Sequence, residues 1–249
     1  MNRRALWLMS VCMFAITACL VVSTAEAELV EYSAGHADIS LEYESGELDL
    51  HYHFGVGSFL DGERQTASSR VHPSDAYVRV PDSTMGFGGA VDFLGTGPLD
   101  PVWVLPFGNV SGVPYIGINF EDVRGLGFTT ATLAMTDFEG PGEFAQWQIG
   151  LFVTNVSWQT NDGIGVNPGD DVLPFPIGGH DHHDRGFTKQ GVYDIELTAT
   201  AFFGDGTSVS DTETFRFVVG DATSVPEPLS FGPLLLGAAA FGLRRGRRP

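Results

Sequence analysis

GVYDIELTATAFF (Gly191–Phe203) is the stretch of sequence that decides the fold. Between Tyr193 and Ala199 apolar side chains stand at every second position, with acidic or hydroxyl residues between them. This alternation places one face of an extended strand in a core and the other in water. A Gly-Asp-Gly turn follows, and Ser208–Val219 returns with strand-like composition, which predicts a β-hairpin.

The same kind of pattern recurs along the chain between turns rich in glycine and proline. Residues 48–54 alternate apolar side chains with Asp and His, and a Ser-Gly pair at 45–46 joins them to a strand at 39–43. About nine to eleven strands with a turn every ~8–12 residues predict an all-β, antiparallel β-sandwich, Ig-like or jelly-roll-like. Further strands are predicted at 76–80, 102–105, 115–118, 128–138 and 144–153.

The first 27 residues have the pattern of a secretory signal. A basic start precedes an apolar core over 5–22, and the small-residue site Ala25-Glu26-Ala27 follows. We expect a signal helix, export, and a mature chain that begins at Glu28. An alternative interpretation takes ITAC as a lipoprotein box with a lipidated Cys19. Both cysteines lie in this segment, so cleavage at Glu28 leaves a body without disulfides.

The C-terminus carries Pro226, Glu227 and Pro228, then an apolar run over 229–243, then four arginines. This order resembles the PEP-CTERM sorting tail of Gram-negative bacteria. The resemblance implies a hydrophobic sorting helix held transiently in the inner membrane, cleavage by an exosortase-type enzyme, and delivery to the cell surface or extracellular matrix. The arginines fit the rule that positively charged residues next to a membrane helix stay on the cytoplasmic side. The apolar run is shorter than the ~20 residues of a full span. A simple C-terminal membrane anchor is the alternative.

The predicted domains are therefore a signal peptide at 1–27, a β-sandwich surface domain at 28–224 and a sorting tail at 225–249. The whole chain has 31 acidic and 13 basic residues. Two of the acidic residues and six of the basic ones lie in the terminal segments, which leaves 29 and 7 in the body, a net charge of −22. Such a body repels nucleic acid and anionic lipid, so neither is an expected partner.

Histidines suggest the one chemistry beyond packing. Three of the seven lie at 180–183, and His180 and His182 point to the same face of an extended chain. Imidazole is the commonest protein ligand of transition metals. We predict a site for Zn²⁺ or another divalent transition metal from His180 and His182 with some of His36, His51 and His53. The alternative is that these histidines are solvated or packing side chains. His183 is out of phase, and His72 lies in a polar loop, so neither is predicted as a ligand. Four carboxylates lie nearby in sequence: Asp38, Asp49, Asp181 and Asp184.

Six motifs in order resemble the choice-of-anchor M domain of bacterial surface proteins, over residues 35–220. They are GHADISLEYESGELDLHYHF, FLGTGPLDPVWVLP, YIGIN, GPGEFAQW, HDHHDRGFTKQGVYDIELTA and FRFVVG. Family members tend to have His-x-His, four residues, then Phe-Thr, and His180, His182, Phe187 and Thr188 fit that spacing. A tryptophan often stands two positions before that Phe, where this chain has Arg185. The gene neighbourhood of some members implies metal capture at the surface.

Two other functions, and a calcium site in another loop, are weighed against the transition-metal site. A structural or adhesive module would bind extracellular polysaccharide through exposed Trp103, Trp147 or Trp158. A metal-dependent hydrolase would use Glu42 or Asp181 as a base, but no nucleophile elbow, His-Glu-x-x-His or phosphate-binding glycine loop is present, so we predict no enzyme. The loop at 161–171 has oxygen ligands for calcium, but it lacks EF-hand spacing and is better explained as turns.

Overall fold

The computed structural model describes residues 28–151, 153–221 and 223–224. The predicted signal helix, the sorting motif and the sorting helix lie outside these residues. In the part of the chain that is described, no helix combines the length and the apolar character needed to cross a membrane.

The described chain is mostly β, as predicted, and its helical residues fall in short 3-10 turns. These turns are Pro73–Asp75, Asp82–Thr84, Gly88–Ala90, Asp92–Leu94 and Glu121–Val123. The strands are β1 (Val30–Glu44), β2 (Glu47–Phe54), β3 (Phe59–Leu60), β4 (Glu63–Arg64), β5 (Ser69–Val71), β6 (Ala76–Val80), β7 (Met85–Phe87), β8 (Pro101–Leu105), β9 (Pro114–Asn119), β10 (Phe128–Glu139), β11 (Phe144–Ile149), β12 (Thr154–Gln159), β13 (Val172–Phe175), β14 (His180–His182), β15 (Asp184–Phe187), β16 (Gly191–Phe203) and β17 (Ser208–Val219).

Two layers of strands form a sandwich-like fold. The first contains β13, β10, β16, β17, β6 and the start of β1, and the second contains the rest of β1 with β2, β5, β9 and β14. Tyr52 of β2 meets Phe215 of β17 edge to face at 5.0 Å between ring centroids. Both side chains are fully buried, so this contact joins the layers through aromatic packing.

The two predicted hairpins are present. β16 pairs with β17 from Gly191↔Val219 to Phe202↔Ser208, and the alternating apolar residues between Tyr193 and Ala199 are buried. β1 and β2 are joined at Ser45 and Gly46, whose φ angles of 57° and 94° are those of a tight hairpin turn.

The pairing is not wholly antiparallel, which corrects the sequence expectation. β1 pairs in parallel with β6 and with β9, and β17 pairs in parallel with β6. Each of these pairs joins strands far apart in sequence, and a long connection permits a parallel neighbour where a tight turn does not.

A third, smaller sheet has the order β12-β11-β15-β8-β7. The strand expected at 144–153 ends at Ile149, because the Gly150 amide bonds the Val153 carbonyl and the chain turns back into β12. The chain enters this sheet from the second layer at His183, between β14 and β15. Residues 180–187 therefore join the second layer to the small sheet.

Gly35 marks the point where β1 passes from one layer to the other. Its φ of +88° is unfavourable for residues with a side chain, and an added Cβ would lie 2.7 Å from the Ser58 Cα. Gly46 has a similar φ of +94° but open space around it. Both glycines therefore have a positive φ angle, but only Gly35 is also closely surrounded by other backbone atoms.

We expect Gly35→Ala to lower the free energy of unfolding by about 3 kcal/mol or more, because backbone strain and a backbone clash add together. Gly46→Ala should cost only about 1 kcal/mol, since strain acts alone. Urea unfolding of both variants measures the difference. Equal losses would show that the bend in β1 does not depend on close packing at Gly35.

Candidate metal centre

The register of three neighbouring strands builds the site. β9 lies between β1 and β14, so that Gly117 is paired with Asp38 on one side and with His182 on the other. Two residues further along β9, Asn119 is paired with Ser40 and with His180. Because alternate residues of a strand share a face, two residues from β1 and two from β14 project from one side of the sheet. These four are His36, Asp38, His180 and His182.

These four side chains converge. Each offers one ligand atom, and all four atoms lie within 4.8 Å of one another. His180 Nε2 is 2.9 Å from Asp38 Oδ1, and His36 Nε2 is 3.5 Å from the same oxygen. The three imidazole rings lie 5.2–5.7 Å apart between centroids. The group could therefore hold a metal ion.

Three imidazoles and a carboxylate form a ligand set that suits zinc. Tetrahedral zinc with bonds of ~2.0–2.1 Å holds its ligand atoms about 3.4 Å apart. His180 and Asp38 are already near that spacing, and no pair has to close by more than about 1.4 Å. Side-chain rotation can supply that movement, because His36 and His180 are partly open to solvent.

The surroundings of His182 keep its ring unprotonated. Burial, then the neighbouring His36 and His180, and then Arg185 lower its pKa to about 4. The ring is therefore neutral well below the usual histidine pKa of 6.5, and its lone pair is free to coordinate. Because its pKa is depressed on folding, the stability linked to this ring is present above about pH 6.5 and is lost as the pH falls towards 4.

Packing holds the His182 ring in place. It stacks on Tyr115 with 3.9 Å between ring centroids and an interplanar angle of 3°. The Gln148 side-chain amide donates to the His182 carbonyl at 3.0 Å, which ties this residue to the small sheet. Backbone and ring are thus both constrained at the residue where the chain leaves β14.

A cleft of about 580 Å³ opens beside the four-residue group. His180 and His182 line it together with Phe107, Tyr115 and Gln148. The four-residue group is consequently reached from solvent, and an ion would not have to cross the protein core to enter.

Gly117 is required by the geometry of the site. A Cβ at this position would lie 2.4 Å from Asp38 Oδ1 and 2.8 Å from His182 Cε1. The absent side chain is what allows these ligands to approach each other across β9. Sequence reasoning did not single out Gly117, although a glycine inside a strand often marks a close approach.

The remaining predicted histidines, His51 and His53, do not join this group. Both are on β2, where His53 is paired with Asp38 in register, yet neither contributes an atom to the four-residue group. His51 is 4% exposed and forms a second group with Glu42 and Asp49. His51 is paired with Ser40, and its group with Glu42 and Asp49 lies further towards the C-terminal end of β1 than His36 and Asp38.

Arg70 already neutralises much of the second group. Its guanidinium donates to the carboxylates of both Glu42 and Asp49. His51 Nδ1 in turn lies 2.9 Å from Asp49 Oδ2. These contacts describe a satisfied ion-pair network, in which both carboxylates have a cationic partner.

The other titratable neighbours have structural contacts. His183 is buried, and this burial followed by Arg185 lowers its pKa to about 4. His72 Nε2 lies 3.1 Å from a Glu213 oxygen. Asp184 accepts from the Phe107 amide, and Asp181 accepts from the His182 amide. None of these four belongs to either ligand group among the described residues.

The tryptophans proposed for polysaccharide binding are buried. Trp103, Trp147 and Trp158 are 7%, 3% and 1% exposed. The expectation that they are exposed is therefore wrong, because the small sheet packs Trp103 and Trp158 into the main core and Trp147 into a separate apolar cluster.

The acidic loop at 161–171 uses its carboxylates for turns, as expected. Asp171 accepts from the backbone amides of Gln159 and Asn167, each at 2.9 Å. Asp162 accepts from the amides of Ile164 and Gly165. Turn chemistry accounts for these two carboxylates.

No protein-family model, no curated protein and no solved structure matches this chain. The geometry of the four-residue group and the terminal sequence patterns are consequently the grounds for a functional proposal.

We expect Gly117→Ala to weaken Zn²⁺ binding at least about tenfold, the order seen when the surroundings of metal ligands are disturbed. The new methyl group would overlap the Asp38 carboxylate and the His182 ring, so at least one of these two side chains has to leave its present position. Isothermal titration calorimetry measures the affinity.

Gly86→Ala in β7 is the matched control, because a Cβ there meets nothing within 4 Å. It should leave zinc binding unchanged. If Gly117→Ala binds zinc as tightly as this control, the close approach of Asp38 and His182 does not form the site.

Proposed function

We propose that this protein is an exported, exosortase-processed cell-surface or matrix protein that binds a divalent transition metal, zinc above all. The observation that carries the metal assignment is the meeting of His36, Asp38, His180 and His182 across strands that are more than 140 residues apart in sequence. Histidines placed on the surface by chance would not be expected to converge with three further ligand side chains on one face of the sheet.

The chemistry of the ligands selects the class of metal. Imidazole nitrogen suits zinc, copper, nickel and iron, whereas calcium and magnesium require oxygen ligands. With three neutral imidazoles and one carboxylate, a bound Zn²⁺ centre carries a net charge of +1. The strongly acidic body offsets that charge and raises the local concentration of cations.

The same ligand count favours binding over catalysis. Four protein ligands fill a tetrahedral zinc ion, whereas catalytic sites keep one position for water. The two bases considered for hydrolysis are also engaged elsewhere, since Glu42 is paired with Arg70 and Asp181 accepts from a backbone amide. We therefore propose capture and holding of metal as the activity, as the resemblance to choice-of-anchor M domains also implies.

The proposal for export and sorting is supported by the two ends of the sequence. A signal pattern over 1–27 precedes the β body, and Pro226, Glu227 and Pro228 begin a tail of apolar residues and arginines. Cleavage by an exosortase-type enzyme at this tail would free the acidic body from the inner membrane. A metal-binding domain would then be presented outside the cell.

We expect the exported protein to bind one Zn²⁺ per chain in equilibrium dialysis. His180→Ala/His182→Ala should lose this binding, because two ligands are too few to hold the ion against water. His72→Ala is the control, since His72 is bonded to Glu213 outside the group and its loss should not change the stoichiometry. Equal zinc retention by the double variant and the wild type would refute the metal assignment.

Replacement of Pro226, Glu227 and Pro228 by alanine should trap the protein in the inner-membrane fraction, because the sorting enzyme no longer recognises the tail. Alanine substitution at Thr223, Ser224 and Val225 is the control and should leave the protein at the surface. Fractionation of expressing cells followed by immunoblotting measures both. Surface delivery of the Pro-Glu-Pro variant would rule out this route.

A further inference from the structure

A buried positive charge lies next to the metal centre. Arg185 of β15 is 1% exposed, and in the part of the chain that the structure describes no carboxylate comes within 4.0 Å of its guanidinium. Its Nη1 donates to the Ile116 carbonyl at 2.8 Å, while its buried Nη2 has no hydrogen-bond partner among the described residues. An unpaired buried charge is costly, so its retention needs a reason.

The contact with Ile116 places this charge at the base of the site. Ile116 precedes Gly117, the residue that separates Asp38 from His182 across β9. The Ile116 carbonyl lies where β14 ends and the chain crosses to the small sheet. Arg185 is buried beside the ligand group and does not line the cleft on which His180 and His182 open.

Electrostatic coupling between Arg185 and the ligands follows from this position. Its guanidinium bonds the carbonyl of the residue before Gly117, and Gly117 is paired with both Asp38 and His182. Asp184 and, more weakly, Asp38 are the carboxylates whose charge acts on Arg185, and neither forms an ion pair with it among the described residues. A fixed positive charge beside the ligands repels a metal ion, and the repulsion is larger for an ion of charge +2 than for one of charge +1.

A purely structural role does not require the charge. The Ile116 carbonyl needs one donor, and a neutral amide side chain could supply it. The guanidinium leaves one nitrogen unsatisfied in doing so. Arg185 therefore differs from a neutral donor in the electrostatic field that its charge exerts on the ligand group.

We propose that Arg185 sets the affinity of the metal centre: its buried, unpaired charge weakens cation binding, so that metal captured from the cleft is also released. This inference rests on the proposed metal-binding function. It assigns the centre to reversible capture and transfer, as opposed to permanent structural retention. Permanent structural sites would gain from a neutral or acidic residue at this position.

Competition titration of the full exported chain with a chromophoric zinc chelator tests the proposal. Arg185→Gln, which keeps a donor and removes the charge, should bind Zn²⁺ about tenfold more tightly and release it more slowly to the chelator. Arg216→Gln is the matched control, because it removes the same charge where Arg216 pairs with Asp194 outside the ligand group, and it should stay within about threefold of the wild type.

The outcomes separate this inference from the proposed function. Wild-type protein that binds no zinc refutes the function itself. Wild-type binding with unchanged or weaker binding in Arg185→Gln overturns the role of Arg185 alone, because a structural brace would lose affinity when altered. If Arg185→Gln does not fold, as judged by thermal melting, Arg185→Met takes its place, and failure of both to fold also overturns the proposal.

Discussion

The shared register of β1, β9 and β14 is the constraint on which the site depends. Gly117 stands between Asp38 and His182, and the absence of its side chain brings residues from distant parts of the sequence to within ligand distance. A shift of β14 by one residue would turn both of its histidines to the other face. The four-residue group is thus formed by strand pairing and not by a loop.

Several contacts keep that register fixed where β14 is too short to do so alone. β14 has three residues, and the chain leaves it directly for the small sheet. Gln148 holds the His182 carbonyl, Tyr115 stacks on its ring, and Arg185 bonds the Ile116 carbonyl. These contacts lie before and after His183, where the chain passes from β14 to the small sheet. They pre-organise the ligands and so reduce the entropy cost of binding.

Sequence reasoning predicted the parts of the fold that local alternation specifies. The hairpin of β16 and β17 and the turn at Ser45 and Gly46 were readable because their pairing is between chain neighbours. The parallel pairing of β1 with β9 was not, since about 70 residues separate these strands and nothing local encodes their register. For the same reason the sequence predicted five histidines as candidate ligands without their grouping in space. It did not indicate that His36 would lie beside His180 and His182, or that His51 and His53 would not. Asp38 was noted only as a nearby carboxylate, and Gly117 was missed.

X-ray absorption spectroscopy of the zinc-loaded protein tests the central claim most directly. Four-coordinate zinc with three imidazole nitrogens and one carboxylate oxygen at ~2.0–2.1 Å is the predicted first shell, and its imidazole rings should give outer-shell scattering. Six-coordinate zinc surrounded by oxygen, without imidazole scattering, would show that the metal binds to the acidic surface and not to the group formed by His36, Asp38, His180 and His182.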